Sequence, residues 1–260
     1  MNVILLGSGN TATALAKLMI QHEHRVVQVW SRSFANAQTL AGETGAEAIR
    51  SLSQITADAD LCVLAVSDDA VADIAAQLHL RKSVLVHTAG SVSIDVLKNA
   101  SLNYGVLYPL QSLRKEATSL PGIPFLTDGN TNEVKVMLYD FAKQLSGKVA
   151  FADDDQRLHM HLAAVMVSNF TNHLYAVTEL FCKEHQLPFS MLLPLIQNVA
   201  GRLEDGNAFD LQTGPARRND AATIQKHLDL LKNNEQLYQL YQTITNSILQ
   251  MYHKKEELRL

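Results

Sequence analysis

Short runs of consecutive apolar residues alternate with amphipathic stretches through the first half of the chain, which predicts a layered α/β domain. The run at 3–6 stops at Gly7, and 12–20 has helical periodicity. Residues 25–30 read as a second strand and 35–44 as a helix, and Gly45 opens a short third strand around Ala46. Ser53 is expected to cap a small helical turn. The all-apolar run 61–66 then reads as a strand covered on both faces. A helix at 70–78 and a strand at 83–87 continue an alternation with a period of about 25 residues, the pattern of a parallel sheet with helices on both sides. Strand-like pieces at 104–108, 124–127 and 148–152, around a helix at 133–145, extend the same sheet.

Beyond Asp153 only helical periodicity remains, over 156–185, 190–203, 220–231 and 234–257, with Gly206, Gly214 and Pro215 in a polar loop. The expected fold is therefore α/β: a Rossmann doubly wound parallel sheet over 1–152, followed by an all-α domain over 153–260. Asp153, Asp154 and Asp155 suit a helix N-terminus and read as a solvated cap. The charge run 254–257 reads as a solvated helix end.

Composition narrows the function classes. Hydrophobic residues make up 47%, enough for ordinary cores, so disorder is excluded. A net charge of −4 without a basic stripe argues against nucleic acid and anionic membrane as partners. Cys62 and Cys182 lie far apart without metal-type spacing, so free thiols in a reducing compartment and no metal site are expected. With no apolar run of membrane-spanning length and a strand at the start of the chain, a cytoplasmic location is expected.

The chemistry-bearing segments fall where strands end. Gly7-Ser8-Gly9-Asn10-Thr11-Ala12 follows the first strand and opens a helix, the G-x-G-x-x-A order of a dinucleotide-binding turn. Gly7 permits the tight turn, Gly9 lets backbone approach a pyrophosphate, and the helix N-terminus faces the phosphates. An NAD site places an acid after the second strand. Here Ser31, Arg32 and Ser33 stand there, which suits the 2′-phosphate of NADP, with Ser33 also able to cap the next helix. Val66, Ser67 and Asp68 follow the fourth strand, and Thr88, Gly90 and Ser91 the fifth, all pointing at the same crevice. Asp68 and Asp69 read equally as helix caps. His87, inside its strand, reads as a packed, hydrogen-bonded histidine.

Polar residues also interrupt the apolar helix after 156. His161, Ser168 and Asn172 return to one face of a 3.6-residue helix, with Asn169 about 80° away and His173 one turn further along. This segment is expected to be largely buried between the two domains or at a subunit contact, so its polar groups pair or face a functional cleft. Asn169 could hold a carbonyl or imine, and His161 could donate a proton. Gln111 is expected at the crevice mouth. Arg217 or Arg218 could bind a substrate anion, and Asp220 reads first as an N-cap.

Together these residues resemble the bacterial proteins that join a Rossmann domain of the deazaflavin-dependent NADP oxidoreductase type to an uncharacterised helical domain. The resemblance rests on Gly7-Ser8-Gly9-Asn10, Ser31-Arg32-Ser33, Tyr108-Pro109-Leu110-Gln111-Ser112, His161-Leu162-Ala163-Ala164 with Ser168-Asn169-Phe170, and Gly214-Pro215 with Arg217 and Asp220. It implies NADP binding, a helical domain like that of 6-phosphogluconate dehydrogenase, and a homodimer made through that domain. The architecture is also similar to pyrroline carboxylate reductase and ketopantoate reductase. The chain lacks the Ser/Gly/Thr-rich motif of the first and a matching catalytic lysine for the second. It also departs from the resemblance at Tyr108, where histidine is more usual.

The reading is an NADP-dependent oxidoreductase that transfers hydride to a small carbonyl or imine. Asn169 would orient the substrate, Tyr108 or His161 would donate the proton, and Ser91, Gln111 and Arg217 would contact the substrate. The alternatives are a non-catalytic NADP-binding sensor and a reductase with a deazaflavin as second cofactor.

Overall fold

A computed structural model describes residues 1–115 and 122–253. Contacts divide the chain into two compact units, Met1–Phe170 and Thr171–Leu260. The charge run 254–257 lies outside the described residues.

The first unit contains an eight-stranded sheet. In chain order its elements are β1 (Asn2–Leu6), α1 (Asn10–Gln21), β2 (Arg25–Trp30), α2 (Phe34–Thr44), β3 (Glu47–Ile49), β4 (Leu61–Leu64), α3 (Asp68–Ala75), β5 (Val84–His87), β6 (Tyr104–Pro109), β7 (Phe125–Gly129), α4 (Asn132–Leu145), β8 (Val149–Phe151) and α5 (Asp154–Ala164). The strand order is β3-β2-β1-β4-β5-β6-β7-β8, parallel throughout except for the antiparallel pairing of β6 with β7. Order 3-2-1-4-5-6 is that of a Rossmann sheet, with its switch point between β1 and β4.

Strand pleating explains why the strand sequences are apolar without a break. Val3, Leu5, Leu61 and Val63 pack on one face with Leu15, Met19 and Phe141 from α1 and α4. Ile4, Leu6, Cys62 and Leu64 pack on the other with Val71 and Ile74 from α3. Each fully buried aliphatic side chain contributes roughly 1.5–3 kcal/mol, so both layers hold the strand ends rigidly. Cys62 is buried in β4 and its thiol is pushed up to about 12, so it remains protonated.

Several local expectations are corrected. The turn Leu52–Gln54 is capped by Ser51, not Ser53, because Ser51 accepts from Ser53 N–H while Gln54 returns the bond to the Ser51 backbone. Ser33 occupies the N-cap position of α2, and Ser67 that of α3, but neither side chain makes a capping bond. Asp68 and Asp69 lie in the first turn of α3, where they complement the helix dipole without capping it. Asp153 is an N-cap as expected, in a reciprocal bond with Gln156.

The helix expected at 156–185 is not uniform. After α5 the residues Val165–Phe170 form a π-helical turn, so the α-helical spacing that placed Ser168 and Asn172 on the His161 face does not carry through. Within the single chain much of this segment is uncovered. Leu162, Met166, Val167 and Phe170 are all more than half exposed, and Asn169, Asn172 and His173 are exposed as well.

The second unit consists of α6 (Thr171–Glu184), α7 (Leu193–Gly201), α8 (Ala221–Leu231) and α9 (Glu235–His253), with 3-10 turns at Phe189–Leu192 and Arg202–Glu204. Asp220 caps α8 through the Thr223 N–H and hydroxyl. Few of its described residues are buried: Cys182, Ala216, Leu231, Thr245 and Tyr252. Tyr252 donates to the Phe209 carbonyl, and the Arg217 guanidinium lies 4.7 Å from the centre of its ring. No helix among the described residues is long and apolar enough to cross a membrane.

Candidate functional site

The turn after β1 leaves backbone bare at a helix N-terminus. Gly7 has φ of 131°, and its N–H donates to the Trp30 carbonyl at 2.8 Å. A Cβ there would stand 2.0 Å from the Ala65 carbonyl oxygen, so only glycine fits. Gly9 is the N-cap of α1 and has no side chain to cap it, and among the described residues nothing would meet a Cβ at that position within 4 Å. Among the described residues no side chain covers the helix N-terminus at Gly9, while Ala12 is fully buried against the sheet.

Beside this turn, Ser8 donates to the Ser31 hydroxyl at 2.8 Å, joining the ends of β1 and β2. Arg32 and Ser33 are exposed, and no carboxylate stands among residues 31–33. Asn10 accepts from Lys115 N–H at 3.3 Å, and Thr11 is half-buried. Glycine cradle, uncapped helix and exposed cation fit a dinucleotide bearing a 2′-phosphate.

A second polar cluster lies at the carboxyl ends of β4, β5 and β6. Tyr108 in β6 is 8% exposed, and its hydroxyl lies 2.9 Å from His161 Nδ1 on α5. The imidazole rests against Gly90, where a Cβ would stand 2.7 Å from ring atoms. Gly90 thus serves as the floor for His161. Ser91 donates to Asp68 at 2.6 Å, tying the loop after β5 to the start of α3. Burial first, and the Asp68 charge second, push the Tyr108 phenol up against a smaller opposing pull from Arg157. Tyr108 consequently holds its proton at neutral pH.

His87 lies beneath this cluster, fully buried, with Nδ1 accepting from Ala89 N–H at 3.2 Å. Burial, reinforced by Arg157, pushes it down to about 4, against weaker pulls from Asp154, the Ser93 backbone and Asp68. It is the packed, hydrogen-bonded histidine expected, and its low titration point keeps it neutral near pH 7. An unfolded histidine titrates near 6.5, so the unfolded chain binds the extra proton between about pH 6.5 and 4. Stability from this source is complete above pH 6.5 and falls as pH drops toward 4, by up to about 3 kcal/mol. In urea unfolding the His87→Asn variant, whose amide oxygen can replace Nδ1 as acceptor, is expected to flatten this slope. Parallel slopes in variant and wild type would contradict the assignment.

The structure brings together Tyr108, His161, Gly90, Ser91 and Asp68. Thr88 is buried at the end of β5, donating its N–H to the Leu64 carbonyl at 3.3 Å, and Val66 packs on the apolar core. Asn169 is not among the hydrogen-bond partners of the Tyr108–His161 pair. Gln111 is exposed and accepts from the Ser112 N–H, and Arg217 belongs to the helical unit. Sequence reasoning missed Arg157 altogether, although it is one of the most buried large side chains. The signal was its position one turn before His161 on α5.

These features define a class: a Rossmann-type dinucleotide-binding protein whose sheet carries a buried tyrosine–histidine pair, followed in the chain by a helical unit. Family models agree. Residues 2–91 match NADP oxidoreductase, coenzyme F420-dependent, and residues 123–248 match a domain of unknown function, DUF2520. A Bacteroides fragilis protein assigned as an NADP oxidoreductase is 36% identical over 96% of this chain and 98% of its own, with a TM-score of 0.88. The chain belongs to this NADP oxidoreductase family, and NADP is its cofactor.

Two more distant structures share the fold. The 1-pyrroline-5-carboxylate reductase of Streptococcus pyogenes is 14% identical with a TM-score of 0.66, covering 96% of this chain and 98% of its own. A reductive aminase from Aspergillus terreus, solved with NADPH and ethyl levulinate, is 16% identical with a TM-score of 0.67, covering 96% and 97%. Curated protein sequences contain no match.

Proposed function

We propose that the protein is an NADPH-dependent reductase of a small carbonyl or imine compound. The observation that carries this reading is the hydrogen bond between Tyr108 and His161, held over Gly90 where the strands end. The pair supplies a protonated donor and a group beside it able to restore the proton. The fold shared with a pyrroline carboxylate reductase and a reductive aminase supports a C=N or C=O substrate.

When bound, NADPH supplies the hydride, and the chain supplies orientation and proton control. Gly7, Ser8, Gly9, Asn10 and Thr11 would hold the pyrophosphate end, and Ser31, Arg32 and Ser33 the 2′-phosphate. Val66, Ser67, Asp68, Thr88 and Gly90 line the strand ends toward the reacting centre. Tyr108 donates to the substrate heteroatom, with His161 as its reserve. Ser91 and the exposed amides of Asn169 and Gln111 are the proposed substrate contacts.

Thermal unfolding with NADPH, NADP⁺, NADH and NAD⁺ in parallel tests the cofactor site. A ligand at a hundred times its dissociation constant adds about 2.7 kcal/mol of stability. The phosphorylated pair is expected to raise the midpoint more than the other two. Loss of a charge-assisted phosphate contact in Arg32→Ala is expected to weaken NADPH by about tenfold or more, leaving NADH little changed. Equal weakening of both would sink the role given to Arg32.

The apolar residues exposed on the π-helical turn, together with Met191, Leu195 and Val199 of the helical unit, support a homodimer. Sedimentation should give twice the chain mass, and a Val167→Glu variant is expected to shift the protein toward monomer. A wild-type monomer at high concentration would contradict this.

A further inference from the structure

Arg157 is 1% exposed, yet no substrate or cofactor role in the account above uses it. Its Nη2 donates to Asp154 Oδ1 at 2.8 Å and also to the Val92 carbonyl. Among the described residues, Nε and Nη1 are buried with no hydrogen-bond partner. Asp154 Oδ1 also accepts from the Ile94 N–H at 3.2 Å. Burial would raise the Asp154 carboxyl, but the Ser93 hydroxyl, Arg157 and Ile94 N–H together hold it below its ordinary value. One carboxylate and one guanidinium therefore clasp backbone at both 92 and 94.

That clasp sits at a mechanically sensitive place. The loop it grips begins at Gly90, the floor for the His161 ring, and continues through Ser91, which is bonded to Asp68. Asp154, Arg157 and His161 follow at intervals of three and four along α5, so one helix face carries the clasp and the imidazole. A slip of loop against helix would move Gly90 relative to His161, whose ring packs so closely on it that a side chain there would collide with the imidazole. An isolated surface ion pair would have little effect here, but a guanidinium that stayed buried without these partners would be left as an uncompensated charge, at a large cost.

We propose that Arg157 is the positioning residue of this site: by clasping Val92 and Asp154 it fixes the loop after β5 against α5, and so sets His161 on Tyr108. The inference rests on the reductase reading for its significance, but its geometry is independent of the substrate. Arg157 also places a fixed positive charge near both Tyr108 and His87. That charge draws the phenol down against burial and Asp68, and helps to keep His87 neutral.

The test uses the full chain labelled with ¹⁵N, reading the imidazole nitrogens of its ten histidines, with His161 and His87 assigned from His161→Gln and His87→Asn. In wild type the His161 Nδ1 signal should carry the hydrogen bond to Tyr108 and lose it in Tyr108→Phe. Arg157→Met, which keeps bulk and removes charge and donors, is expected to lose the same signal. It should also speed exchange of the Ile94 amide by about tenfold or more and raise the titration point of His87. Arg157→Lys, which keeps charge without the planar fork, is expected to hold His87 near its wild-type titration while Ile94 still exchanges faster. If Arg157→Met does not fold, the lysine variant alone decides. Wild-type His161 and Ile94 signals in whichever variant folds would overturn the proposal. Absence of any NADPH-induced rise in the wild-type midpoint would remove the reductase reading, while the imidazole spectra would still judge Arg157.

Discussion

Tyr108→Phe is expected to lower the rate of NADPH-dependent reduction by about 10²- to 10⁴-fold, the usual contribution of a positioned proton donor. The change removes one oxygen from a side chain that is 8% exposed, so the ring can keep its packing against Val106, Leu126 and Ala152. NADPH affinity should remain near the wild-type value, because the glycine turn and Arg32 are untouched. The loss should therefore fall on kcat and leave the thermal shift with NADPH intact. His161→Gln should lose less than Tyr108→Phe, because the phenol stays protonated at neutral pH without it. A Tyr108→Phe enzyme with full turnover would move the donor elsewhere.

The second large effect belongs to the phosphate turn, where two glycines should respond in different ways. Gly7→Ala forces a Cβ to 2.0 Å from the Ala65 carbonyl at a φ of 131°. Strain and overpacking together should destabilise the first unit by roughly 2–6 kcal/mol. Gly9→Ala meets nothing within 4 Å among the described residues and has ordinary backbone angles, so stability should hardly change. Its added methyl would nonetheless occupy the approach of a pyrophosphate and weaken NADPH binding. Unfolding midpoints of the two variants, with and without NADPH, check this. If Gly9→Ala bound NADPH as tightly as wild type, the cradle would be merely a structural turn.

Legibility of the fold followed burial. The unbroken apolar runs of β1 and β4 could be read directly because both faces of those strands are covered, as the two core layers confirm. The caps were harder. Ser51 and Ser53 are chemically alike and two residues apart, and only the return bond from Gln54 selects the first. The π-helical turn left no sign in the sequence that α-helical periodicity could reveal, and it broke the face argument for Ser168 and Asn172. Residues 162–170 are largely uncovered within the single chain, and apolar character alone does not say whether a domain contact or a subunit contact would cover such a helix.

The site was legible in pieces. Gly7 and Gly9 were identifiable by residue type just after the first strand, His161 as a polar residue in an apolar helix, and Tyr108 only through the family resemblance, where it stands in place of histidine. That Tyr108 and His161 form one hydrogen-bonded pair was not, since 53 residues separate them. Gly90 looked like a cofactor contact, and its closeness to the His161 ring emerges only in three dimensions. Arg157 passed unnoticed because an arginine in the second turn of a polar helix start is usually solvated.

The central claim is tested most directly by following NADPH consumption against a panel of cyclic imines and small oxo acids, with wild type and Tyr108→Phe side by side. The account predicts turnover of at least one member by wild type, lowered at least about a hundredfold by the variant. Tight NADPH binding with no consumption across the panel would contradict it and favour a protein that senses the cofactor without using it.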